Sequence, residues 1–346
     1  MEKILTLIIP SYNMEKYLDK CISSLIVDAL PKMEVLVVND GSKDSTLQIA
    51  KAWNMRYPES IFFIDKPNGN YGSCINAGLA VAHGKYVKVL DADDSFETGN
   101  LDRYLTFLEK SDSDLVISDY AIVDESDTER RRVSFRNGAT PSLPGVFDDF
   151  IKTVQDFDFE MHAVAYRRSI FERFSYRQTE GISYTDQEWM FKPMAYVETV
   201  SYFPEVVYRY LVGREGQTVD PKVSHRMVTQ TMAVCDSMLR TYREIRKDVA
   251  ECKLDYLDSR LMKKIPSVYR IILLKSKGTS LYKELVDFDE NIRLCNVWVS
   301  SRLDREKIKF IPFRYIPYWR RNCRDKEGFK VPGALRFFQS VITRLI

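Results

Sequence analysis

The stretch VKVLDADDSFE, residues 87–97, carries β-favouring apolar residues (Val87, Val89, Leu90) straight into three carboxylates, Asp91, Asp93 and Asp94. Like charges this close repel, so gathering them where a buried strand surfaces needs a reason. Upstream, three apolar runs have the same form: Ile4 to Ile9, Glu34 to Val38 and Ile61 to Ile64. Helical spacing separates them. Tyr17, Leu18, Ile22, Leu25 and Ile26 share one face, Leu47, Ile49, Ala50 and Trp53 another, and a third helix is expected over Gly72 to Ala82. Strands this apolar, alternating with helices, predict an α/β fold whose parallel sheet is covered on both sides. In such sheets ligands collect beyond the carboxyl ends of the strands. The segments that follow the four strands are PSYN (10–13), NDGS (39–42), KPNGNYG (66–72) and DADD (91–94), so all four loops are expected on one edge.

Past Leu101 the alternation loosens. A helix over 101–108 and a strand over 114–119 lead to HAVAYRRSIFERF (162–174), a strand and short helix, then to a helix in TDQEWMFKPMAYV (185–197) and a Tyr-rich strand, SYFPEVVYRYL (201–211). Beyond Asp220 the pattern is helical, with Met227, Val228, Thr231, Cys235, Met238, Leu239 and Tyr242 on one apolar face. The spacing therefore predicts two domains, 1–220 and 221–346.

Composition narrows the function classes. Hydrophobic residues at 45% and charged residues at 29% exclude a disordered chain, and no run reaches the roughly 18 apolar residues of a membrane-spanning helix. MEKILTLIIPSYN reads as folded structure at a cytoplasmic amino terminus, not as a signal peptide. The six cysteines are far apart and lack CxxC spacing, which argues for idle thiols and against a zinc knuckle or a disulfide framework. Net charge is +2, but eight basic against two acidic residues over 311–346 put +6 on the tail and −4 on the body. In the tail, Ala334, Leu335, Phe337, Phe338, Val341, Ile342 and Leu345 share a helical face. That face suits packing against the helical domain or a second copy, or docking on an anionic membrane aided by Arg314, Arg320, Arg321 and Arg324. No nucleic-acid motif accompanies the basic residues.

The carboxylates themselves have two readings: a solvated turn that caps the next helix, or hard oxygen ligands for a divalent cation that shares its remaining positions with water and phosphates. The order and spacing of PSYN, VVNDGSKDST (37–46) and INAGLAVAHGKYVKVLDADD (75–94) resemble the family-2 glycosyltransferases over residues 4–215. That resemblance implies a GT-A fold, a Rossmann-like mostly parallel sheet flanked by helices, here followed by a helical C-terminal region. It divides the first domain into a nucleotide-sugar half (1–95) and an acceptor half (96–220). It also implies an inverting hexosyltransferase that uses Mn²⁺ or Mg²⁺ and moves a sugar from a UDP-sugar to a saccharide or glycoconjugate hydroxyl. The expected setting is bacterial surface polysaccharide or glycan synthesis, at the inner face of the plasma membrane.

Residue by residue, the resemblance sets Pro10 and Tyr12 beside the base, Asp40 as acceptor of a uracil hydrogen bond, Asp91 and Ala92 on the ribose or sugar side, and Asp93 on the metal. Tyr12 could equally pack beneath a loop, and Asp40 could form a turn before Gly41. NGNYGSCINAGL (68–79) is a phosphate-cradle candidate through Gly69, Gly72 and Asn76, but Ile75 stands where the family commonly has Arg, so Lys88 or a later Arg is expected to replace that cation. Its glycines lack GxGxxG spacing, which argues against a dinucleotide-dependent dehydrogenase. In TDQEWMF, Asp186 matches the family's base, with Glu180 as the alternative and Glu188 expected to point elsewhere; Thr185 or Asp186 could instead be only a helix cap. His162 is a candidate acceptor contact. YRYLVGREGQTV (208–219) offers Arg209, Arg214, Gln217 and Thr218 to the diphosphate, though Arg209 could simply decorate a strand. A silent relative that only binds a partner, and a nucleotidyltransferase that releases pyrophosphate, remain alternatives.

Overall fold

The computed structural model describes residues 2–135, 145–153, 160–214, 224–275, 281–307 and 313–324. The chain divides into two compact units, Met1–Asp220 and Pro221–Ile346. The amphipathic face over 334–345, Gln217 and Thr218 lie outside the described residues.

The first unit opens with β1 (Leu5–Ser11), α1 (Leu18–Ser23), β2 (Met33–Asn39), α2 (Thr46–Arg56), β3 (Ile61–Asp65), α3 (Asn70–Ala80) and β4 (Tyr86–Val89). β2 and β4 are buried along their whole length and β1 at all but Pro10, as strands covered on both faces must be. Burying one Leu or Ile contributes about 1.5–3 kcal/mol, enough in aggregate to fix register. β1 pairs parallel with β2 from Leu5↔Met33 to Ser11↔Asn39, and β2 with β3 up to Asn39↔Asp65. Ser11, Asn39 and Asp65 thus end in one row. β4 pairs with β1 up to Ile8↔Val89, and Asp91 follows two residues later at the same edge.

The rest of the unit comprises β5 (Ser95–Phe96), α4 (Thr98–Lys110), β6 (Leu115–Val123), β7 (Glu129–Val133), β8 (Gly145–Val146), α5 (Phe147–Thr153), β9 (Val164–Arg167), α6 (Ile170–Arg173), α7 (Asp186–Phe191) and β10 (Thr199–Leu211). The sheet order is β3-β2-β1-β4-β9-β6-β10-β5, with β7 on β6 and β8 on β10. As expected, strands β1, β2, β3, β4, β6 and β10 run in parallel, and antiparallel strands are added to them. β9 runs antiparallel to both β4 and β6, and β5, β7 and β8 are antiparallel to their partners, so the sheet is mixed. β9 follows a 3₁₀ turn at Met161–Ala163. Apolar burial of Val164, Ala165 and Tyr166 reads the same in either direction.

The second unit is helical: α8 (Ser224–Ile245), α9 (Glu251–Arg270), α10 (Tyr282–Cys295), α11 (Val297–Leu303) and α12 (Tyr315–Asn322). Asn296 caps α11 by accepting from Val299 N at 2.9 Å. Arg320, read from sequence as part of a basic surface, turns inward. It donates to the fully buried Asp289 at 2.6 Å and to Asp304 at 2.8 Å, because a buried carboxylate needs a cation beside it. Arg314 and Arg321 are exposed. No described helix is long and apolar enough to cross a membrane. All six cysteines are free thiols.

Candidate active site

The three carboxylates of the DADD loop do different work. Asp94 is buried and held at both oxygens: its Oδ1 accepts from Leu211 N at 2.7 Å and its Oδ2 from the Tyr208 hydroxyl at 2.6 Å. Tyr208 Oη in turn accepts from the Asp91 backbone N–H at 3.1 Å, so one buried tyrosine ties the loop to β10. Asp91 Oδ1 accepts from Tyr71 Oη at 2.8 Å. Asp93 Oδ2 accepts from Arg214 Nε at 2.5 Å, and the Arg214 guanidinium also lies 5.3 Å from the Tyr17 ring centre. Ala92, between them, is buried. Tyr208→Phe is therefore expected to strand the Asp94 carboxylate and the Asp91 amide together. Its expected cost is about 1–3 kcal/mol for each buried group left unpaired, read as a lower melting temperature.

The electrostatics match this crowding. Burial, then the neighbouring Asp93 charge, pushes the Asp91 carboxyl up to about 7. Burial and the charges of Asp93 and Asp91 push Asp94 well above the ordinary carboxylate range. Tyr71 and Tyr210 are raised by burial and by the same carboxylates, Asp186 among them. Asp186 thus acts electrically on the DADD loop from a different element, the first turn of α7. Its Oδ2 accepts from Gln187 Nε2 at 2.7 Å.

A strap, residues 176–181, joins the two sides. Asn76 on α3 holds it through Gln178 N (2.9 Å), Gln178 O (2.9 Å) and Glu180 Oε1 (2.8 Å), and Gly181 N donates to Gly69 O at 2.8 Å. From the other side Gln178 Nε2 donates to Thr185 O at 2.7 Å, and Glu188 accepts from Thr179 N at 2.7 Å and Thr179 Oγ1 at 2.6 Å. Glu188 is fully buried and paired with Lys192 at 3.1 Å. Tyr184, just before the start of α7, adopts φ +65°, a left-handed conformation uncommon for a bulky residue. Gly72 and Asn76, expected at the phosphates, are here occupied with the strap. A Cβ at Gly72 would lie 2.0 Å from Thr179 O, so only glycine admits this approach. Gly72→Ala is expected to destabilise the unit by about 1–3 kcal/mol, a fall of roughly 2–12 °C in melting temperature.

Other candidates fall in varied places. Pro10 and Tyr12 lie at the end of β1, with Tyr12 44% exposed. Asp40, 3% exposed, pairs with Lys66 at 2.5 Å. Arg209 is not brought to the carboxylates. It lies between Tyr208 and Tyr210 on β10, faces the other side of the strand, and pairs with Glu97 (2.8 Å) and Asp127 (3.2 Å). Lys88 does not supply the missing cation either. It is fully buried, donates to His162 O (2.6 Å) and Val164 O (3.0 Å), and burial pushes its amine down to about 7. Ile75 is buried in the core. His162 is 9% exposed and enclosed by the rings of Tyr210, Tyr208 and Tyr120, not set on an open acceptor face. Burial, then the Lys88 charge, brings its imidazole down to about 3, which leaves it neutral. Glu180 is held by Asn76 and Arg177.

Sequence reasoning missed Tyr71, Tyr208, Lys66 and Gln178. Tyr208 had a signal, since a buried tyrosine in an apolar strand needs a partner for its hydroxyl. The other three depend on contacts distant in sequence.

The donor set suits a hard divalent cation. Asp91, Asp94 and His162 each offer a ligand atom within 4.8 Å of the others, and His162 Nδ1 is buried with no hydrogen-bond partner. Carboxylates driven toward protonation by burial and then by mutual repulsion are short of positive charge, which Mg²⁺ or Mn²⁺ would supply.

Residues 6–174 match the model of Glycosyl transferase family 2. Among curated proteins, the uncharacterized glycosyltransferase MG025 homolog of Mycoplasma pneumoniae is 42% identical over 97 residues, 27% of this chain and 32% of its own length. Glycosyltransferase GlyG of Streptococcus pneumoniae is 28% identical over 127 residues, 37% of this chain and 42% of its own. The chain thus spans less than half the length of these relatives. Among solved structures, S. aureus TarS 1–349 in complex with UDP-GlcNAc superposes with a TM-score of 0.62 at 19% identity, over 91% of this chain and 86% of that one. The fold is therefore GT-A-like, followed by a helical region.

Proposed function

Because residues 6–174 match the model of Glycosyl transferase family 2, we propose that the chain moves a hexose from a UDP-sugar to a saccharide hydroxyl, with inversion and with a divalent cation. The observation that carries this reading is the meeting, at the loop-bearing edge of the sheet, of the Asp91–Asp93–Asp94 cluster with the charge of Asp186 from the acceptor half. An acid cluster able to hold a cation for the leaving group, with a separate carboxylate as base, suits single displacement. Asp186 takes the acceptor hydroxyl proton, the freed oxygen bonds to the anomeric carbon from the far side, and the C–O bond to the diphosphate breaks with its electron pair leaving on UDP.

Asp93, with Asp91, Asp94 and His162 offering further ligand atoms, would hold the cation, whose chemistry is to offset the charge building on the departing diphosphate. Arg214 is poised at the same place and grips phosphate through parallel hydrogen bonds once released from Asp93. Asp40 and Tyr12 border the base. A UDP-sugar is further supported by the TarS complex, in which a protein of this fold holds UDP-GlcNAc. A surface-glycan acceptor fits a relative in Bacillus subtilis, the minor teichoic acid biosynthesis protein GgaB, 33% identical over 114 residues, 32% of this chain and 13% of its own length. The exposed Arg314 and Arg321 suit work beside an anionic membrane face.

A panel of UDP-sugars scored for UDP release with saccharide acceptors tests the reading. UDP formed only when acceptor is present supports it. Pyrophosphate released from UTP and a sugar phosphate would replace it with nucleotidyl transfer.

A further inference from the structure

Lys66 stands at the start of the loop after β3, and no motif marks it. Its ammonium makes three hydrogen bonds, to Asp40 Oδ1 at 2.5 Å, Ser73 Oγ at 2.7 Å and Pro67 O at 2.8 Å, which uses all three of its donors. Asp40 is 3% exposed, and its backbone is tied on both sides, with Asp40 N donating to Ser11 O at 2.9 Å and Asp40 O accepting from Asn68 Nδ2 at 3.0 Å. Gly69 N also donates to Asp40 Oδ1, at 2.9 Å. Among the described residues, the hydrogen bonds made to this carboxylate converge on Oδ1.

We propose that Lys66 is a positioning residue for recognition of the nucleotide base: it fixes Oδ1 of Asp40, so that Oδ2 faces an N–H donor on a pyrimidine. The proposal rests on the donor-site reading above. Register supplies the base's location, since Ser11 pairs with Asn39 and the next residues on the two strands are Tyr12, 44% exposed, and Asp40. An exposed ring beside an oriented carboxylate offers a face for stacking and an acceptor for one edge.

The chemistry is selective. Uracil presents N3–H, which a carboxylate oxygen accepts. Cytosine presents N3 as a lone pair, which the same oxygen repels. Lys66 enforces the difference by holding Oδ1, so that Oδ2 keeps its aim at that edge; a carboxylate free to turn loses the alignment. Lys66 therefore acts on discrimination as well as on affinity.

The test measures binding of UDP and of CDP to the full chain with Mn²⁺ by titration calorimetry. Lys66→Met is expected to lower the ratio of UDP to CDP affinity by at least about tenfold, and Lys66→Arg to retain it. Combined with Asp40→Asn, Lys66→Met should lower the ratio no further than Asp40→Asn alone, because both act through one oxygen. A Lys66→Met protein with the wild-type ratio overturns the proposal, and so does equal loss of both ligands, which marks a purely structural role. Should Lys66→Met not fold, Ser73→Ala, which loosens the same ammonium, is expected to shift the ratio in the same direction; an unchanged ratio overturns the proposal equally. Wild-type protein that binds no UDP overturns the donor-site reading itself, and this proposal with it.

Discussion

Asp186→Asn is expected to lower turnover by about 10²–10⁴ while leaving UDP affinity where it was. The amide keeps the shape of the side chain and can still accept from Gln187 Nε2 at the start of α7, but it cannot take a proton from the acceptor hydroxyl. Single-turnover measurement of sugar transfer, beside calorimetry with UDP, separates the two quantities. Glu180→Gln is the control. Glu180 is occupied by Asn76 and Arg177, so little change in turnover is expected. Full activity in Asp186→Asn would remove Asp186 as the base, and loss in Glu180→Gln alone would move the role there.

Asp93→Asn is expected to cost about 10²–10³ in turnover and to abolish stimulation by Mn²⁺; in the wild-type protein EDTA should produce a similar loss. Turnover undiminished in EDTA would take the cation out of the mechanism. A pH experiment checks the same site independently. With its carboxyl pushed up to about 7, Asp91 holds a proton below that pH which a cation must displace. Mn²⁺ affinity is expected to fall by up to about tenfold per pH unit below 7 and to level off above it. Stability of the cation-free protein should show the opposite slope. Between about pH 4 and 7 the folded chain keeps a proton that an unfolded aspartate, with a pKa of about 3.9, has released. That contribution is complete at low pH and is lost as pH rises through 7. Thermal melts in chelator across this window read it, and a flat profile would mean that Asp91 is already ionised.

The first half of the sheet was legible because each of its strands is apolar on both faces and each ends in a polar turn. Val35, Val37 and Val38 can be buried in only one kind of layer. The mixed second half was not, since the apolar composition of Val164–Tyr166 is the same whichever way β9 runs. Among candidate site residues, the DADD loop stands out by type and spacing, and Asp186 is reached through the resemblance of TDQEWMF to the family's base segment. Gly72 and Asn76 were placed at a phosphate because a Gly-rich turn before a helix offers free amides, yet the strap from 176–181 occupies them. Arg209 and Tyr208 are neighbours on one strand, and the choice of which faces the carboxylates rests on a one-residue register.

From its sequence alone this chain determined that four strands deliver four polar loops to one edge, and that acid groups meet there. Apolar period and turn chemistry are local, and local residues suffice to set them. Tertiary structure alone decided which carboxylate is spent on holding the loop, which cation guards which acid, and that a tyrosine 114 residues beyond Asp94 completes its hydrogen bonding. Those assignments depend on distances between segments far apart in the chain, where burial makes an unpaired charge costly and so selects its partner.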